Sequence, residues 1–369
     1  MDLSLSEEQV ALQDTLRALL SDRFTSAEVR QCEADPARAL PLFADLAEMG
    51  IGAILASEEA GGLGMGLTEL VVAQAELGRA LVPLAFTESS VLAQTVLAAS
   101  SDAPVAAVLG EIIAGTARIA CAMLDGDGPA ILSDSDGQAR LSGSKDFVAD
   151  ARLADYLLVD ARTATGERIA CLVRADAAGL ALTDLPNLGD LGLARIVFDE
   201  TAVAHMVARG DAADAAWALA TSRMQVAIAA QAVGGTGHVL EIARDYAATR
   251  QQFGQPIGSF QAIAHMLADA AVNLEGARML VYRAAAAADE GEDFATWADM
   301  AKLKACQVFR DVSATAIQVH GGIGFTLEAD PQLFYRRAKH LQLMYGEPLD
   351  LQESAGAALL SGQHRVLEA

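Results

Sequence analysis

The chain has 369 residues, 53% of them apolar and 20% charged, a composition that supports two or three sub-domains with sizeable cores and excludes a disordered chain. Its formal charge of −23 repels nucleic acid and anionic membrane surfaces, so a phosphate-bearing ligand has to be held by a few local cations or by helix N-termini. Cys32, Cys121, Cys171 and Cys306 are far apart and lack CxxC spacing, which reads as buried reduced thiols in a cytoplasmic protein.

The opening MDLSLSEEQVALQDTLRALL has acids where a signal peptide would have bases, and its apolar residues recur at helical spacing from Leu5 to Phe24 behind Ser4 or Ser6 as a cap. No window reaches the roughly 18 uninterrupted apolar residues of a membrane span, so none is expected. Pro41 to Ala56 reads as a second helix. It runs into SEEAGGLGMGLTEL, where Gly61, Gly62, Gly64 and Gly66 form a turn before helical patterning resumes from Leu67 to Leu97. Without a preceding strand or a following Lys-Ser/Thr, that turn is not read as a phosphate-binding loop. An all-helical N-terminal domain therefore occupies residues 1–115.

Character changes at Arg118. RIACAML, ARLSGSKDFV, ADYLLVDA, RIACLV, LALTDL and ARIVFD are short and rich in β-branched residues, and the turns DGDG, DSDG and NLGD lie between them. This is a small antiparallel β-domain, residues 116–209. The acids around Asp125 and Asp134 lack the spacing and closing Glu of a calcium loop and read as solvated turns. Helical periodicity returns over 211–249, 259–290, 295–320, 331–345 and 349–360, a C-terminal bundle in residues 210–369. The fold class is α+β, mainly α.

Within the bundle, RQQFGQPIGSFQ (Arg250 to Gln261) places a cation, an aromatic, two glycines and a proline between two helices, a geometry suited to binding rather than packing. Left to themselves, Arg250 reads equally as a partner for a helix-end acid and Phe253 as a core plug. His320 before Gly321 and Gly322 reads as a helix stop. Arg336 and Arg337 are candidates by charge alone and read as solvated helix positions.

The GGLG turn, RQQFGQPIGSFQ, QVHGGIGFT from Gln318 to Thr326, and FYRRAKHLQLMYG stand in the order found in the acyl-CoA dehydrogenases, and the succession of helical domain, β-domain and bundle resembles that family too. The resemblance implies FAD-dependent oxidation of an acyl-CoA thioester to its 2,3-enoyl form, with a carboxylate as base toward the α-proton and an electron-transfer flavoprotein as acceptor. It also implies an oligomer in which each FAD lies across an interface and meets the neighbour's Arg250, Phe253, Gln318, Gly321 and Gly322. Other family features are missing. AMLDGDGPA stands where members carry a TEPxAGSD-like loop, and in GSKDFVADA Phe147 replaces a Trp and Ala149 a flavin-bonding Thr. Tyr345 occupies the usual position of the catalytic Glu, and counting 26 residues back from Arg250 to the alternative position gives Met224. Only Glu347 offers a nearby acid, and Pro348 after it suits a helix start.

Segments that serve a chain's own flavin are degraded, and those that serve a neighbour's are kept. The chain thus resembles the non-catalytic partner subunit of heterotetrameric acyl-CoA dehydrogenases acting on steroid side chains. Two other readings stay open: a self-sufficient homo-oligomer using Glu347 as base, and a structural or binding relative without flavin.

Overall fold

The computed structural model describes residues 4–135, 138–189 and 191–361, so Asp136 and Gly137 of DSDG and Asp190 of NLGD lie outside the described residues. The chain opens with helices α1 (Glu7–Arg23), α2 (Ser26–Ala34), α3 (Leu40–Glu48), α4 (Leu67–Arg79), α5 (Leu84–Thr87), α6 (Gln94–Leu97) and α7 (Ala103–Ile113). Strands β1 (Ile119–Ala122), β2 (Ile131–Ser135), β3 (Gln138–Ala149), β4 (Tyr156–Thr163), β5 (Arg168–Arg174), β6 (Leu180–Asp184), β7 (Leu193–Ala202) and β8 (His205–Arg209) follow. The long helix α8 (Asp211–Thr249), a hairpin of β9 (Gln251–Gln252) and β10 (Gln255–Pro256), α9 (Gln261–Asp289), α10 (Ala295–His320), α11 (Pro331–Leu343) and α12 (Pro348–Leu360) complete it.

By compactness the chain forms two units, one of residues 30–65 and 83–224 and one of 4–29, 66–82 and 225–361. In the first, the main strand path is β6-β7-β3-β2-β4-β5-β8. Its core is apolar, with Leu141, Val159, Ile169, Cys171 and Ile196 all at 0% exposure. The sheet is mainly antiparallel, as expected, with β1 and β2 each pairing parallel to β4. Strands β2 and β8 escaped the sequence reading, since each is five residues long and mixes polar or charged side chains with its apolar ones. The helix expected over Pro41 to Ala56 ends at Glu48, where Gly50 at φ 77° turns the chain into a 3-10 turn. The glycine-rich turn is packed on itself: a Cβ on Gly62 would stand 2.2 Å from Ala56 O.

The helix read continuously from Leu67 to Leu97 breaks at Leu81, φ 58°, and Pro83, and a π-helical turn (Glu88–Ala93) separates α5 from α6. All four cysteines are free and buried, and burial pushes the Cys171 thiol up to about 12.

The second unit packs α1 and α4 with the bundle helices. Ser6 caps α1 and closes a reciprocal box with Gln9. Between α4 and α8 two glycines let backbones meet, because a Cβ on Gly78 would lie 2.1 Å from Gln231 O and one on Gly234 1.8 Å from Ala75 O. Beside them Gln231 donates to Gln74 across 2.8 Å. Charged residues flanking the apolar stretches hid α8 from the uninterrupted-run test for a membrane span. By length and mean composition it does qualify, with 67% of its most apolar window buried in the protein.

An anion does sit at the N-terminus of α4, and it is the carboxylate of Asp289, which accepts from Leu67 N (2.6 Å), Thr68 N (3.0 Å) and Thr68 Oγ1 (2.6 Å). Asp289→Ala is therefore expected to cost about 1–2 kcal/mol in urea unfolding, the worth of a lost helix cap. Acid should also weaken this unit through His340 on α11. Its Nε2 is shut off from water with no hydrogen-bond partner among the described residues, and burial, with Arg337 close by, holds the ring down to about 3 from 6.5. Between those values the unfolded chain binds the proton and the folded chain does not, so stability falls as pH drops from about 6.5 toward 3. A chevron-midpoint series against pH should show that fall flattened in His340→Gln.

Candidate functional site

Two helix ends meet in the second unit. The ring of Tyr246, near the end of α8, stacks on His320 at the end of α10 with centroids 4.1 Å apart and planes at 21°. His320 Nδ1 also lies 2.8 Å from Ala316 O. The stack holds the segment after Thr249 and the segment after His320 at one end of the bundle. It was not foreseen from sequence, where Tyr246 and His320 carry no spacing signal toward each other.

After α8, Arg250 N donates to Tyr246 O and Ile257 N to Arg250 O, both at 2.8 Å, and β9 pairs with β10. The tip residues Phe253 and Gly254 have φ of 53° and 82°. That is the two-residue hairpin turn in which both central residues are left-handed, and it costs a side chain about 1–2 kcal/mol. Phe253 accepts that cost and is 92% exposed, so it is not a core plug. It makes one edge contact, to Phe260 at 6.2 Å. The exposed Arg250 guanidinium has no carboxylate or hydrogen-bond partner among the described residues, so it is not a helix-end ion pair either.

At the end of α10, Gln318 is exposed, and Gly321 at φ 65° stops the helix. Gly322 is different. Its φ is not left-handed and a Cβ there would meet nothing within 4 Å, so nothing within the chain calls for glycine. Beyond it Ile323, Phe325 and Leu327 are 55%, 70% and 70% exposed, an apolar rim that sequence reading passed over.

Tyr345 and Gly346, with φ of 57° and 122°, form a fixed bend after α11. Gln225 Nε2 donates to Tyr345 O at 3.3 Å, and the fully buried Lys302 donates to Gly346 O at 2.7 Å and Gln342 O at 3.3 Å. Burial holds the Lys302 ammonium below its usual pKa, and burial raises Asp299 against hydrogen bonds from Ser354 and Gln225. These groups pin the bend, and the Asp299 carboxylate is linked to it through Gln225. Glu347 is exposed at the N-cap of α12 and makes no side-chain capping bond. Met224 is buried. Arg337, expected to be solvated, is 7% exposed and donates to Val82 O at 2.7 Å, because α11 packs that face inward; Arg336 donates to Gln332 at 2.7 Å.

In the first unit AMLDGDGPA lies along β3. Lys145 Nζ donates to Met123 O at 2.9 Å and Asp125 Oδ1 at 2.6 Å. Arg195 forks onto Asp146 at 2.6 and 2.7 Å and reaches Asp127 at 3.2 Å. The Asp125 turn is thus ion-paired as well as solvated, its Asp125 and Asp127 side chains staying 46% and 86% exposed. Phe147 is 45% exposed and Ala149 is buried.

Residues 6–116 match the family model for the acyl-CoA dehydrogenase N-terminal domain and residues 212–348 that for the acyl-CoA dehydrogenase C-terminal domain. The acyl-CoA dehydrogenase IpdE2 of Mycobacterium tuberculosis is 31% identical over 334 residues, covering 90% of this chain and 91% of its own. Benzylmalonyl-CoA dehydrogenase of Aromatoleum aromaticum is 29% identical, covering 91% and 93%. Among solved structures, the ChsE4-ChsE5 complex from Mycobacterium tuberculosis superposes with a TM-score of 0.89 at 27% identity, over 98% of this chain and 99% of that one.

Proposed function

The chain belongs to the acyl-CoA dehydrogenase family, and from that premise we propose that it is a partner subunit completing the FAD site of a catalytic chain that oxidises an acyl-CoA thioester. The observation that carries this reading is the end of the bundle where the Tyr246–His320 stack joins the segment of Arg250, without a partner among the described residues, and the 92% exposed Phe253 to the segment of the unconstrained Gly322. Each is unexplained by the chain's own packing and fits a phosphate-bearing aromatic ligand approached from outside. Arg250 would neutralise pyrophosphate charge, Phe253 would cover an apolar ring, and Gln318, Gly321 and Gly322 would let backbone come close. When bound, FAD supplies the acceptor for the hydride removed from the acyl group. This chain's share is binding and orientation, because Tyr345 and Met224 stand where a base would act and Glu347 is exposed at a helix cap.

The ion-paired Asp125, Asp127 and Asp146 clasp places negative charge on the segments that would have to serve the chain's own flavin. Likeness to one chain of a two-component complex supports a heteromeric assembly; likeness to a solved steroid acyl-CoA dehydrogenase supports steroid or other lipid thioesters as the substrate class, and likeness to the caffeyl-CoA reductase-Etf complex subunit CarC of Acetobacterium woodii supports an electron-transfer flavoprotein as acceptor. The test is to purify the chain alone and with a co-expressed catalytic acyl-CoA dehydrogenase, then record flavin absorbance and acyl-CoA oxidation. Little flavin and no turnover alone, with both restored in the complex, is the expected result. Full flavin and brisk turnover by the chain alone would overturn the partner role, and loss of that turnover in Glu347→Gln would assign the base. A colourless complex would overturn the FAD reading.

A further inference from the structure

A cavity of about 300 Å³ lies within the second unit, where the end of α1 and the start of α2 meet α4, α8 and α11. Its walls are apolar. Leu20, Phe24, Val29, Leu81 and Phe334 line it, and none of them is more than 5% exposed. Arg17, Ser21 and Thr25 line it as well and are exposed, so the cavity opens to solvent along that edge. The charged groups at its lining are matched within the protein: Arg17 forks onto Glu76 at 2.6 and 3.0 Å, Arg79 forks onto Glu241, and Asp330 accepts from Ser26 at 3.1 Å. An ionic ligand would have to break into one of these contacts, and an anion would also meet the repulsion of a chain of charge −23.

His238 on α8 is the polar group this cavity leaves available. Its ring stands edge-on to Phe334, with centroids 5.4 Å apart and planes at 81°, and its Nδ1 lies 2.8 Å from Arg79 O. Burial holds its pKa below 6.5, so at neutral pH the ring is uncharged. The carbonyl then fixes the tautomer: Nδ1 carries the proton and donates to Arg79 O, and Nε2 keeps a lone pair. That Nε2 has no hydrogen-bond partner among the described residues, and unlike the Nε2 of His340 it is not shut off from water. Water could satisfy the lone pair, but it would leave the five apolar side chains around it wet. A ligand with an apolar body and one O–H donor satisfies both. Size narrows it further, since an apolar cavity of about 150 Å³ holds one benzene ring.

We propose that this cavity is a binding site for an uncharged, hydroxyl-bearing apolar molecule of about two rings, its hydroxyl donating to His238 Nε2. The site shares no residue with the segments after α8 and α10, so it stands apart from the proposed FAD role. It is tested on the full chain by fluorescence titration with 2-naphthol and with naphthalene, which has the same rings and no hydroxyl. The expected result is one 2-naphthol per chain, bound ten-fold or more tighter than naphthalene. His238→Asn, whose amide can still donate to Arg79 O but which lacks the Nε2 acceptor, should abolish that preference and leave naphthalene binding unchanged. In the unsubstituted chain labelled with ¹⁵N-histidine, 2-naphthol should shift the His238 Nε2 resonance and naphthalene should not. Failure of 2-naphthol to bind, equal binding of the two probes, survival of the preference in His238→Asn, or an unmoved Nε2 resonance each overturns the inference.

Discussion

Arg250→Ala in the assembled complex is expected to weaken FAD retention about 10- to 100-fold, the worth of a charge-assisted hydrogen bond to phosphate of roughly 1.5–3 kcal/mol. The flavin-free chain should melt as before, because Arg250 is exposed and holds no partner among the described residues. Arg250→Lys should recover part of the affinity, since an ammonium keeps the charge and loses the fork. Equilibrium dialysis or flavin fluorescence on dilution checks this. Unchanged retention in Arg250→Ala would show that the loop meets something other than the pyrophosphate. Phe253→Ala should behave in the same direction, and it removes an exposed ring rather than a core contact.

The second large effect is structural. Gly234→Val should cost about 3 kcal/mol or more, because its Cβ would stand 1.8 Å from the Ala75 carbonyl oxygen and backbone has no rotamer by which to yield. Gly78→Ala presses on the same helix crossing from the other side, where Gln231 O would be 2.1 Å away. Combined, the two should cost less than their sum, since one separation of α4 from α8 relieves both. Gly110→Ala on α7 is the control, with nothing within 4 Å of its Cβ, and should be neutral or stabilising by up to about 1 kcal/mol. Urea midpoints of the four proteins measure the series.

The long helices were legible in the sequence because each repeats its apolar positions over many turns, as α8, α9 and α10 do for 39, 29 and 26 residues. Short elements were not. α2 occupies Ser26–Ala34, β2 and β8 are five residues each, and the break at Leu81 turns on one left-handed residue that no pattern announces. The parallel pairings of β1 and β2 with β4 were equally hidden, because a strand's alternation is the same whichever way its neighbour runs.

The motif residues Arg250, Phe253, Gln318, Gly321 and Gly322 were found from the order and chemistry of RQQFGQPIGSFQ and QVHGGIGFT. Sequence alone left Arg250 open to an ion pair and Phe253 to a core role. Exposure decided against the core role and the lack of a partner among the described residues against the ion pair, and the Tyr246–His320 stack, between residues 74 positions apart, set the two segments at one end of the bundle. Arg337 shows the reverse error, a charge read as solvated that the helix turns inward onto Val82 O.

Composition, periodicity and motif order thus determined the helix, sheet, helix succession, the acidity that confines anion binding to a few cations, and the family. Those properties are carried by local spacing and by residue identity. The tertiary structure alone decided which cations lack partners, which glycines are demanded by packing and which are not, and that Glu347 is exposed while Lys302 pins the bend beside it. Such facts depend on residues distant in the chain meeting or failing to meet, and no spacing along one segment encodes them.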